Sequence, residues 1–397
     1  MRPENNQLAY FVNIAVSFTK RCLHHRLCGT STPLNRYKNN TTHPEGAKAP
    51  SSRRTEMKYK AWTGSTENNA EKAIRDGLDY INWHDIVQKD ARVFIKPNLT
   101  YTHHKPGATT TPEFMDTVIG IIKERTPNIT IGESDGGNNS YPAEVPFKGH
   151  NLYEITKKHG VELKSLSRDK WRMIPVKSGL FTRKIPMPES LLTDYDVTIN
   201  LPVPKMHFVV GYTGAIKNHW GLVPDTMRLR NHYFFTHAIL EIIRQVSPEI
   251  VIADGTYFMD KNGPIRGDTV EMNMTVVANA PGAADFVLNR IMGLNPHDYR
   301  YLRQAMKEGL MPKSLDEIEL NAQPEEFFCR QFTLERSKMD WFATAGFYSK
   351  WMTRIVYDSP LAGPIHKVIR FGRKEKKSVP VDTDIRVREC VEAPVDV

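Results

Sequence analysis

Residues 213–221 read TGAIKNHWG and set an ammonium, an amide and an imidazole in a row, Lys217, Asn218 and His219, between Gly214 and Gly221. The flanking residues Ala215, Ile216, Trp220, Leu222 and Val223 are apolar. A lysine in such a stretch either reaches water or is held by an anion, because burying it unpaired is costly. Similar groups close four apolar segments. The first ends Lys96-Pro97-Asn98, the second Glu133-Ser134-Asp135-Gly136-Gly137. The third runs from Asn200-Leu201-Pro202 to Lys205-Met206-His207, and the fourth ends Asp254-Gly255, followed by Asp260-Lys261-Asn262-Gly263-Pro264. Lys96, Asn98, Lys205 and Asn218 are candidates for holding an anion, and Lys217, His219 and His207 for acid–base work. The carboxylates Glu133, Asp135, Asp254 and Asp260 can accept protons or bind a cation. Asp135 and Asp254 are the candidate ligands of a divalent metal, joined for a transition metal by His207 or His219.

Each group also has a plain structural reading. Lys96 before proline can be a surface lysine, GESDGGNNS a turn, and His207 a satisfied core histidine. His232 and His237 are five apart, off the spacing of a helical metal pair, and are expected in core or surface roles. No P-loop occurs, and no G-x-G-x-x-G follows the first strand, so a nucleotide is not expected.

The elements that must position these groups alternate. A helix is expected from a cap at Ser65 or Thr66 to about Trp83, and a strand at 92–98. Thr111 is placed as N-cap and Pro112 as the first helical residue of the next helix. Met115, Val118, Ile119 and Ile122 then share one face. Strands follow at 128–137 and 195–205, a helix at 232–246, a strand at 249–257 breaking at Asp254-Gly255, and strand–turn–helix at 273–294. This order implies an α/β fold with a mostly parallel sheet, flanking helices and right-handed crossovers. Ligands of such sheets bind outside the carboxyl ends of the strands. The segments 297–310, 335–356 and 362–372 read as a helical C-terminal appendage. Residues 57–295 are thus the α/β domain and 296–397 the helical region.

The 397 residues, 40% hydrophobic and 25% charged, fit a packed core. No run is apolar and long enough for a transmembrane helix, and a cytoplasmic location is expected. The net charge of +9 divides unevenly: residues 1–56 hold nine Lys/Arg and three Asp/Glu (+6), the remainder 45 and 42 (+3). The body is nearly neutral, and apart from RKEKK (373–377) it has no polybasic arm, so nucleic acid is not expected as a partner. Residues 1–56 read as a disordered leader: a misplaced start with Met57 the true one, a flexible arm, or a transit peptide. Cys22, Cys28, Cys329 and Cys390 form no C-x-x-C, although Cys22, His24, His25 and Cys28 lie close enough in sequence to hold a metal. A reducing compartment is the simpler reading.

Taken in order, KPNL with TTTPE, GESDGG, INLPVPKMH, TGAIKNHWGLVP and IADGTYFMDKNGP resemble a bacterial and archaeal family catalogued as a domain of unknown function. Its members are often labelled iron–sulphur centre proteins. The resemblance spans roughly residues 90–295. It implies an α/β fold, distantly comparable to the N-terminal domain of the nickel-pincer lactate racemases, and hence a cofactor or metal site. It implies no iron–sulphur cluster here, because the ferredoxin-like cysteine module behind that label is missing. Two functions follow as expectations. One is an enzyme acting on an anionic small molecule. The other is a non-catalytic accessory or redox partner docking a cofactor or another chain through C-terminal helices bearing Phe342, Phe347, Tyr348, Trp351 and Tyr357.

Overall fold

The computed structural model describes residues 59–360 and 364–365. Expectations for residues 1–56, most of 362–372, RKEKK, Cys22, His24, His25, Cys28 and Cys390 lie outside these, as do those for the side chains of Phe342 and Tyr357.

Apolar periodicity places the central unit. Thr111 caps a helix at Pro112–Lys123, with Pro112 at its first turn, and Met115, Val118, Ile119 and Ile122 are buried with Phe114 and Ile121. This helix joins β2 (Val93–Lys96) to β3 (Ile129–Glu133), which pair in parallel from Val93↔Ile129. Every residue of both strands is buried, as expected of strands covered on two faces.

The main sheet is mixed and mostly parallel. Its order is β12 (Ile318–Leu320), β1 (Tyr59–Ser65), β11 (Asp268–Ala278), β10 (Ile250–Asp260), β7 (Val197–Asn200), β2, β3, β4 (Glu162–Ser165). Only β1–β11 and β10–β11 are antiparallel along this path. Beside β10 lies β8 (Lys205–His207), paired antiparallel with β9 (Gly211–Thr213). One face of the sheet packs Ile95, Ile131 and Ile199 against the helices Ala70–Tyr80 and Pro112–Lys123. The other packs Phe94, Val251 and Val276 against Phe235–Val246 and Pro281–Ile291. A separate hairpin joins β5 (Trp171–Ser178) to β6 (Phe181–Pro188).

Several boundaries differ from those expected. Residues 59–65 form the strand β1, and the first helix starts at Ala70 with Asn69 as cap, whose Oδ1 accepts from Lys72 N at 2.9 Å. Ser65 and Thr66 therefore belong to the strand and its end. β7 stops at Asn200. β10 does not break at Asp254-Gly255 but runs on to Asp260 through an irregularity between Gly255 and Tyr257. A 3-10 turn at Arg228–Phe234 precedes the helix beginning at Phe235. Past residue 295 the chain is not purely helical: β12 adds to the sheet edge, and Phe332 is buried in the core. The helices Lys338–Tyr348 and Lys350–Asp358 follow. Among the described residues no helix is long and apolar enough to cross a membrane.

Candidate functional site

The strand order turns back between β2 and β7. The chain leaves β2 by a helix on one face towards β3, and leaves β7 by the helix Phe235–Val246 on the other face. Crevices in open α/β sheets form at such a reversal, outside the carboxyl ends. The last residues of the two strands, Lys96 and Asn200, are register partners there.

Lys96 is completely buried and donates to Glu133 Oε2 and to Pro97 O, both at 2.6 Å. Glu133, at the end of β3, also accepts from Ser134 N at 3.1 Å. Burial pulls the Lys96 pKa below its ordinary value, while the Glu133 charge opposes that shift. Lys96 is therefore not the surface lysine its position before proline allowed.

TGAIKNHWG forms a short helix at Ala215–Asn218 and a 3-10 turn at His219–Leu222. Asp285, fully buried in the helix Pro281–Ile291, fixes its start. Its carboxylate accepts from Ala215 N (2.6 Å), Ile216 N (3.0 Å) and Tyr212 Oη (3.0 Å). Burial still pushes the Asp285 pKa up to about 7. Asn218 Nδ2 donates to Asn200 Oδ1 at 2.8 Å, and Asn200 Nδ2 to Ala215 O at 2.8 Å, tying the turn to β7. Both glycines are needed for close approach. A Cβ on Gly214 would lie 2.1 Å from Asp285 Oδ1, and one on Gly221 would lie 2.7 Å from Glu133 Oε1. Their small size thus serves contacts within the chain.

The other cations crowd together. Lys205 is 1% exposed, and its Nζ donates to Ala108 O. Burial holds its pKa well below the usual value, with Lys217 and Lys96 adding repulsion against a smaller attraction from Asp254. Arg228 is buried and donates from Nη1 and Nη2 to Asp135 O, both at 2.9 Å. Lys217 is partly buried and has no hydrogen bond or ion pair among the described residues. Burial, with Arg228 adding repulsion, lowers its pKa to about 8.

The histidines are held neutral. His219 is fully buried, its pKa lowered by burial to about 3, and its Nδ1 lies 2.9 Å from Ala215 O. A carbonyl only accepts, so Nδ1 carries the proton, leaving Nε2 a buried acceptor without a partner among the described residues. His207 has the opposite tautomer: Nδ1 accepts from Val209 N at 3.1 Å, so the neutral ring carries its proton on Nε2. Burial, then Lys217 and His232, depress its pKa well below the ordinary value. His232 lies beside the Trp220 ring (5.5 Å between centroids), and burial followed by Lys217 lowers its pKa to about 3. Among the described residues His232 Nε2 and Trp220 Nε1 are buried without partners.

The candidate metal ligands are engaged otherwise. Asp135 accepts from Ala143 N at 2.9 Å and meets Arg168 at 3.4 Å. Asp254 accepts from Thr111 N (2.6 Å), Thr256 N (3.0 Å) and Thr256 Oγ1 (2.7 Å). Asp260 binds Arg330 at 3.0 Å. Among the described residues no three His, Cys, Asp or Glu gather as metal ligands. Asn98 is buried, and its backbone pairs with Thr110. Cys329 is buried beside Met272 Sδ at 3.3 Å.

Arg228, His232 and Asp285 are additions that sequence reading did not place at the site. The last had one signal, a carboxylate set inside an apolar helical face. A surface groove of about 460 Å³ lined by His297, Arg300, Arg303 and Lys307 shares no residue with this cluster. The C-terminal helices cover part of the cluster instead. Phe347 packs on His232 at 4.7 Å, and Arg336 Nε and Thr344 Oγ1 donate to Phe208 O at 2.5 and 3.2 Å.

The chain is 25% identical over 241 residues to the Thylakoid-associated protein sll1697 of Synechocystis sp., covering 58% of this chain and 72% of that protein. Residues 93–290, which hold Lys96, Glu133, Asn200, Lys217 and Asp285, match the family model described as Domain of unknown function (DUF362). Through these residues the chain belongs to that family.

Proposed function

We propose that the chain binds or transforms an anionic small molecule at the strand-end cluster, as an enzyme. The observation that carries this reading is Lys217: a partly buried ammonium beside Arg228 and Lys205, with no counter-charge among the described residues. Unpaired cations at low dielectric are unfavourable, and an anion is what relieves them. Lys217, Lys205 and the Asn98 amide would hold the ligand. Lys96 would supply field while bound to Glu133, and Asn218 would hold the turn in place. His207 offers an Nε2–H hydrogen-bond donor and His219 an Nε2 acceptor, and either would orient a bound ligand or take part in acid–base work there. Glu133 is proposed to balance charge, and a divalent metal is not part of this reading.

A second reading is favoured by exposed aromatics. Trp341 is 60%, Tyr348 40% and Trp351 72% exposed on the C-terminal helices, a face open to a protein partner of an accessory or redox kind. We assign the protein to the cytoplasm. The name of the cyanobacterial relative, thylakoid-associated, supports work beside a membrane system.

The test is mass spectrometry of small molecules released on denaturing freshly purified full-length chain. An anion retained by wild type and lost from Lys217→Ala supports the reading. Retention of the same anion by Lys217→Ala would remove it.

A further inference from the structure

The β5–β6 hairpin stands apart from the main sheet. Its inner residues Ile174, Val176, Ile185 and Met187 are buried. Its outer face and tip are not: Leu180 is 100%, Phe181 68%, Met173 51% and Trp171 46% exposed. Ser178 pairs with Phe181, so Gly179 and Leu180 form the turn, with Gly179 at φ +62°. A water-facing hairpin face normally carries polar side chains, so apolar residues this exposed mark a contact surface.

The charges around them share one sign. Residues 170–188, KWRMIPVKSGLFTRKIPMP, contain five Lys/Arg and no Asp/Glu. Lys170 and Arg172 pair with Glu189 at the base, and Arg183 lies over the Tyr233 ring at 4.6 Å. Lys177 and Lys184 are exposed, with no hydrogen bond or ion pair among the described residues. In register Lys177 lies opposite Thr182 and Lys184 opposite Pro175, one and three residues behind Phe181, roughly 3–10 Å along the strands. That overlaps the depth of about 5–10 Å to which interfacial segments enter a bilayer, with cations left at the phosphates. A narrow convex tip of two side chains offers a protein partner little of the roughly 800 Å² per side that a stable complex buries.

We propose that this hairpin seats the chain on an anionic lipid bilayer, Leu180 and Phe181 entering the interface and Lys177 and Lys184 meeting lipid phosphates. The test is sedimentation of the full chain with vesicles of phosphatidylcholine alone and of phosphatidylcholine mixed with phosphatidylglycerol. Wild type binds the mixed vesicles, and added salt weakens that binding. Lys177→Glu with Lys184→Glu lowers the partition coefficient about tenfold or more. Leu180→Ser with Phe181→Ser lowers it by a similar factor, with unchanged melting because these side chains are already in water. Both pairs retain the basic residues 1–56, so binding carried by that segment would survive in them. Equal binding by the variants, or no binding of wild type to mixed vesicles, overturns the proposal; in the second case the surface belongs to a protein partner.

Discussion

Lys96 Nζ lies 2.6 Å from Glu133 Oε2, with both side chains out of water, so the first strand's terminal cation carries its own counter-charge. Among the described residues Lys217 has no such partner, although Arg228 repels it and Lys205 feels its charge. The contrast separates a lysine that builds the site from one left for a ligand.

Gly221→Ala tests how tightly the turn presses on that pair. A Cβ there would also lie 3.1 Å from Lys96 Nζ. Displacing a buried pair should cost about 1–3 kcal/mol, read by urea denaturation. An unchanged midpoint would mean that the turn yields freely.

Asp285→Ala removes the acceptor of two backbone N–H groups and a tyrosine hydroxyl. Leaving buried donors unmade costs about 1–3 kcal/mol each, so with three donors a loss of about 3 kcal/mol or more is expected. The group also sets a pH slope. Its folded pKa of about 7 lies above the ordinary 3.8, so the folded state binds the proton more tightly. Its stabilising contribution is full below about pH 4 and is lost as pH rises through 7. Asp285→Asn should remove that slope from the stability curve.

His232 acts in the opposite direction. Its folded pKa of about 3 lies below 6.5, so the unfolded chain takes up a proton that the folded one refuses. Wild type therefore loses stability from this group as pH falls through 6.5 towards 3. His232→Phe keeps a ring against Trp220 and Phe347 and should melt higher than wild type at pH 5, by a margin that shrinks at pH 8. An equal margin at both values would mean that the ring does not titrate in this range.

Deleting residues beyond 334 should uncover His207 and His232 without unfolding the sheet, because Phe332 and Thr333 remain to close the core around Asp260. The expected result is faster modification of both histidines by diethyl pyrocarbonate, with circular dichroism retained. Loss of the fold would show that the last helices are a packed part of the body.

Much of the framework is legible in the sequence because it is local. Thr111-Pro112 and the apolar face that follows specify their helix, and runs such as VFIK and ITIG specify buried strands. Strand ends carrying Lys96, Glu133 and Asn200 are legible for the same reason. The sequence does not reveal that Asp285, 70 residues away, caps the turn at Ala215, or that Arg228 and His232 close over Lys217. Those contacts exist only after tertiary folding. The hairpin at 171–188 also escaped notice, since its charges are spread singly through the sequence and gather only when β5 pairs with β6.

The most direct measurement is the melting temperature of the full chain titrated with inorganic phosphate, pyrophosphate and citrate, in wild type and in Lys217→Met. The account predicts that at least one anion raises the wild-type value with saturation. It also predicts that Lys217→Met abolishes this rise while melting no lower than wild type without ligand, because an unpaired partly buried charge has been removed. An equal rise in the variant, or unfolding of the variant without ligand, would contradict it.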